Sequence, residues 1–166
     1  MFGAGSKPKL EHGPKSRVTI RAERRLPSKP PFVRMPACGY SARMNFLLVM
    51  AGGAVGSAAR YGVGKLTLAS LGPDYPWGTL AVNVIGGFLM GLLAGILART
   101  GGSDHTRLLL GVGVLGGFTT FSSFSLDAVL MIERGQWAAA LLYALASVAG
   151  SVLALFGGLY LVRGMA

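Results

Sequence analysis

The stretch Gly111–Ser125, GVGVLGGFTTFSSFS, brings together groups suited to handling an ion. Its glycines weaken a helix, and the β-branched pair Thr119-Thr120 follows at once. The hydroxyls of Thr120, Ser122 and Ser123 can donate hydrogen bonds. Phe121 and Phe124, spaced i, i+3, share one face, and phenylalanine rings are electropositive at their edges. The stretch lies within an uncharged run, Leu108–Leu126, long enough to cross a bilayer as a helix. A break at that depth must be buried in protein or line a cavity, because no water pairs its backbone. Freed carbonyls suit a monovalent cation, and freed amides and hydroxyls suit an anion. The same residues also fit a kinked, glycine-rich packing helix with ordinary core aromatics.

Three other places carry chemistry. Asn83 is the one strongly polar residue of the uncharged segment Trp77–Ala98. Its amide offers two donors to an anion, or serves only as glue between helices. Tyr143, Ser147 and Ser151 recur at i, i+4, i+8 and form a polar track or a polar packing seam. Arg60 lies deep in the first apolar segment, where it faces a water-filled cavity and concentrates anions, or snorkels to the surface. Cys38 is the single cysteine, and His12 and His105 have no partner at metal-ligand spacing. No nucleophile–base pair and no paired carboxylates occur, which argues against an enzyme.

The elements that must position these groups are membrane helices. Of the 166 residues, 52% are hydrophobic and 13% charged, with a mean hydropathy of +0.55. Soluble domains carry about 25% charged residues. The apolar pattern predicts an all-α membrane protein with four spans, at about 45–70, 77–98, 106–133 and 136–162, the third broken near 116–119. Small-residue stripes, such as Gly52/Gly56 and Gly87/Gly91/Gly95, predict close helix packing. Four spans put both termini on one side. Arg99, Arg107 and Arg163 lie on that side; Lys65 and Arg134, with Arg60 if it reaches that way, lie on the other. So even a balance predicts insertion in both orientations and pairing of opposed copies.

Residues 1–43 differ from the rest. They hold ten of the sixteen Lys/Arg and six of the eight prolines, which predicts a disordered basic extension. The high pI belongs to this stretch and is no argument that the remainder binds nucleic acid. It reads as upstream sequence ahead of a functional start at Met44, as a genuine basic tail, or as a targeting peptide, with the first preferred. Residues 44–166 form the four-helix transmembrane domain on this reading.

Three motifs, GGAVGSAARY (Gly52–Tyr61), PWGTLAVNVIGGF (Pro76–Phe88) and GGFTTFSSFSLD (Gly116–Asp127), resemble the Fluc/CrcB family of fluoride channels. The match in order and spacing covers essentially all of 44–166. The resemblance implies an antiparallel, dual-topology homodimer in the bacterial inner membrane, exporting fluoride passively through two pores. It also implies a structural Na⁺ at the dimer centre, held by the backbone carbonyls of Gly116 and Thr119. By the same resemblance the fluoride pathway comprises Asn83, Thr120, Phe121, Ser122, Ser123, Phe124, Tyr143, Ser147 and Ser151, with Arg60 in a vestibule. Fluoride holds its water tightly, so such a pore must replace that water with donors. Two competing readings are a small dual-topology multidrug exporter and a non-conducting structural membrane protein. The first needs a carboxylate within the membrane, and the first, second and fourth spans have none.

Overall fold

The computed structural model describes residues 40–164. The basic extension therefore lies outside the described residues, save for its last four, which already belong to the first helix. The elements are α1 (Tyr40–Leu71), α2 (Trp77–Thr100), α3 (Asp104–Thr106), a π-helix (Arg107–Leu115), α4 (Gly116–Phe118), α5 (Phe121–Glu133) and α6 (Trp137–Gly164). Among the described residues there is no strand. Among the described residues, four stretches are long and apolar enough to cross a membrane: Ala42–Leu71, Trp77–Thr100, Asp104–Glu133 and Trp137–Gly164.

The helices begin and end where local chemistry requires. Ser103 caps α3 by accepting the Thr106 N–H at 3.2 Å. The turn between α5 and α6 pivots on Gly135, whose φ of 76° suits glycine alone. Its N–H reaches the Ile132 carbonyl, and that of Gln136 reaches Met131, both at 2.9 Å. At the opposite end, Arg99 donates to the Val162 carbonyl at 2.7 Å, tying α2 to the final turn of α6. That carbonyl belongs to a helix C-terminus, where a cation is favoured.

Two glycine seams hold the spans together. Gly52 and Gly56 of α1 lie against Gly113 and Val114 of the third span. Gly87 and Gly91 of α2 lie against Ser151 and Leu155 of α6. Paired positions rise together along both members, so each pair runs parallel. A Cβ on Gly56 would collide with the Val114 carbonyl, and one on Gly91 with the Leu155 carbonyl. Lipid supplies no hydrophobic drive between helices, so this backbone-on-backbone approach provides the dispersion that binds them. The core is correspondingly thin, with Tyr143 and Val82 its most completely buried side chains. Phe46 and Met50 of α1 and Phe156 and Tyr160 of α6 are exposed, as expected of faces solvated by lipid tails.

The glycines of the third span do a different job from the one expected of them. Gly116 is helical, with φ −65° and ψ −36°. The chain turns extended only at Thr119 (φ −81°, ψ 157°) and Thr120 (φ −151°, ψ 119°). Gly113 and Gly117 instead let the span sit on the α1 backbone at Gly52 and Gly53. β-branching at both residues lowers the cost of leaving the helix there.

Gly91→Val should crowd the α2–α6 seam, where the obstacle is backbone. We expect a loss of at least the ~1–3 kcal/mol typical of overpacking. It would be read as a lowered thermal midpoint, or as loss of monodisperse protein in detergent. Gly62→Ala, which meets open space inside α1, should hold that midpoint or raise it slightly.

Candidate functional site

The site is built on two extended residues inside the third span. Thr119 keeps its N–H on the Leu115 carbonyl at 3.0 Å and adds its own hydroxyl to the same oxygen at 2.9 Å. A continuing helix would next have sent the Thr120 N–H to the Gly116 carbonyl. That N–H goes instead to Asn83 Oδ1 at 2.8 Å. Asn83 Nδ2 returns a bond to the Thr120 carbonyl at 3.0 Å. One side-chain amide from α2 thus pairs both backbone groups of Thr120, as a neighbouring strand would. The Thr120 hydroxyl caps α5 by accepting the Ser123 N–H at 3.2 Å, so the helix restarts at once.

Two hollows meet at this junction. A vestibule of about 670 Å³ opens at the end away from the described termini, with Arg60 and Arg134 in its wall. It runs past Thr79 and Asp127 to Ser123 and Thr120. A groove of about 420 Å³ has Asn83, Thr119, Thr120, Phe121, Phe124, Ser147 and Ser151 in its lining. Thr120 lines both. The Phe121 and Phe124 rings lie 5.5 Å apart with 43° between their planes. Phe121 is 77% exposed, so the groove faces outward along one flank.

The sequence-predicted residues thus divide. Seven share the groove, while Ser123 and Arg60 belong to the vestibule. Ser122 lines neither hollow, is exposed, and lies 3.3 Å from the Thr120 hydroxyl. Tyr143 is fully buried, and its hydroxyl donates to Asp127 at 3.2 Å. Its neighbour on the expected track, Ser147, is 4% exposed, and its hydroxyl is set beside that of Tyr143. Asn83 does not keep both donors free, because one N–H is committed to Thr120. Sequence reasoning missed Asp127 as the partner of Tyr143. The pair faces across two helices, and no spacing rule within one helix reports it.

Four apolar spans and a polar junction at mid-depth define a multi-pass helical membrane protein with an interrupted third span. Residues 47–159 match the family profile described as CrcB-like protein, Camphor Resistance (CrcB), and the chain belongs to that family. A relative from Sphingopyxis alaskensis is 57% identical over 122 residues, covering 72% of this chain and 97% of its own length. One from Phenylobacterium zucineum is 60% identical over 119 residues, covering 70% and 94%. One from Mesorhizobium japonicum is 51% identical over 121 residues, covering 73% and 98%. All three carry the name fluoride-specific ion channel FluC.

Asn83→Ala would strand the Thr120 N–H and carbonyl without partners, at about 1–3 kcal/mol for each group that stays dry. Amide hydrogen exchange should therefore speed up at Thr120 and Phe121, while protection in the middle of α6 is unchanged.

Proposed function

We propose that the chain is a fluoride-specific channel of the bacterial inner membrane, passing fluoride passively out of the cytoplasm as an antiparallel, dual-topology homodimer. The fluoride assignment follows the names of its relatives. The observation that carries it to this chain is the groove. There a buried Ser147 hydroxyl, the remaining N–H of Asn83 and the Phe121–Phe124 pair share one lining. Amide and hydroxyl can donate, phenylalanine rings are electropositive at their edges, and fluoride must exchange its water for such partners. Arg60 and Arg134 make the vestibule attractive to anions before they reach the narrow part.

A second copy accounts for what one protomer leaves open. Gly116 is exposed at mid-span, and a Cβ there would meet only the Gly111 carbonyl at an ordinary 3.7 Å. The protomer itself therefore gives no steric reason for glycine, whereas a partner crossing at that point does. Arg60 shares its cavity with Arg134 and so lies toward the end away from the described termini. That end then holds Lys65, Arg60 and Arg134. The other holds Arg99, Arg107 and Arg163, with Arg43 in the first turn of α1. Such a balance favours neither orientation strongly.

The backbone at Gly116 and Thr119 fits a monovalent cation. With the Thr120 N–H engaged by Asn83, the Gly116 carbonyl is released from its usual helical partner. Its neutral oxygens suit Na⁺ better than Mg²⁺, which is usually held through carboxylates. Such an ion would supply positive charge that makes a nearby anion less costly. Residues 44–166 contain every residue of groove and vestibule and are the channel domain on this reading.

Fluoride efflux from liposomes containing the purified protein, with chloride as control, tests the proposal. Efflux of fluoride alone is expected, and its absence from well-folded dimer would overturn the reading in favour of a structural protein. Phe121→Ile and Ser147→Ala should each slow fluoride by roughly 10–100-fold, the worth of one interaction with a charged group. Gly116→Ala should leave the protomer folded but weaken dimerisation on native gels or by crosslinking, and Gly116→Val should abolish it.

A further inference from the structure

Five aromatic rings form an unbroken chain from the α1–α2 loop to the groove. Trp77 and Tyr75 stand 4.6 Å apart between ring centres. Tyr75 meets Tyr143 edge-on at 5.6 Å with 86° between planes. Tyr143 meets Phe124 at 5.3 Å, and Phe124 meets Phe121 at 5.5 Å. Tyr143 has no freedom of its own, being fully buried, tied to Asp127 and packed beside Met131 and Ala140. The loop end is anchored as well: the Trp77 N–H bonds the Tyr75 carbonyl at 2.8 Å.

We propose that Tyr75 is a positioning residue for passage through the groove: its ring braces Tyr143, and through Tyr143 it holds Phe124 at the angle the pathway needs. The proposal rests on the fluoride reading for its transport consequence and on the ring geometry alone for its structural one. An edge-on contact is directional, because the edge of one ring meets the face of the next, and an aliphatic side chain of similar bulk lacks it. Burial pushes the Tyr75 phenol above its ordinary pKa, so the ring acts in its neutral form across the physiological range. Tyr75 also lines the vestibule. A loop at the membrane surface is thereby connected mechanically to a ring at mid-depth.

Tyr75→Phe and Tyr75→Leu, made in the full chain, separate bracing from mere filling. Both keep bulk at the position, and only Phe keeps a ring. Maximal fluoride efflux should fall about three- to tenfold for Leu, the worth of one aromatic pair, and recover with Phe. The half-saturating fluoride concentration should stay the same for both, since Arg60 and Arg134 are untouched. In protein labelled with fluorophenylalanine, Tyr75→Leu should shift or broaden the Phe124 resonance, assigned by Phe124→Leu, and Tyr75→Phe should not. An unperturbed Phe124 signal in Tyr75→Leu overturns the proposal whether or not the protein carries fluoride. So does wild-type efflux from a stable Tyr75→Leu dimer. Failure of the fluoride reading would appear separately, in the unmutated protein.

Discussion

The structure depends on one demand: hydrocarbon offers no partner to an unpaired backbone group. The third span stops being helical for two residues, and at that depth both groups of Thr120 need partners from within the protein. The Asn83 amide supplies them both at once. A carboxylate would lack the donor, and a hydroxyl could not span donor and acceptor of one peptide residue so well. Asn83 is thus a structural necessity before it is anything else. Its one remaining N–H, on the groove side, is what is left over for function.

The glycine seams follow from the same demand. Helices in lipid are held by contact rather than by escape from water, so α1 and the third span, and α2 and α6, approach until backbones touch. That closeness leaves little room for a conventional core. It also leaves one flank concave, with polar atoms in the groove and an exposed phenylalanine at its rim. A flank of that kind, at membrane depth, suits neither lipid nor water well. Gly116, exposed and without steric cause inside the chain, lies on the third span.

The polar groups grade from one end to the other. Cationic side chains stand in the wide vestibule, hydroxyls gather at Thr120 and Ser123, and neutral polar groups with two phenylalanine rings line the groove. Charge would be useful where water remains, because it draws in a counter-ion from a distance. Deeper in, neutral donors suit an anion that must shed its water and still move on. Asp127 departs from this gradation, and its bond from Tyr143 gives the carboxylate a structural task at the vestibule wall.

Much of this was legible in the residues alone. Long uncharged runs fix the number of spans, because only helices of that length pair all their own backbone in a bilayer. The Gly/Thr stretch announces an interruption, and lone polar residues such as Asn83, Arg60 and Ser147 stand out against apolar surroundings. Their partners were not legible. That Asn83 joins Thr120, that Tyr143 turns away to Asp127, and that the extended pair is Thr119-Thr120 and not Gly116-Gly117 depend on which helices meet. A helix's own periodicity assigns residues to faces, but it does not say which face another helix will cover. Only the tertiary structure decides that, through the few places where two backbones can approach closely.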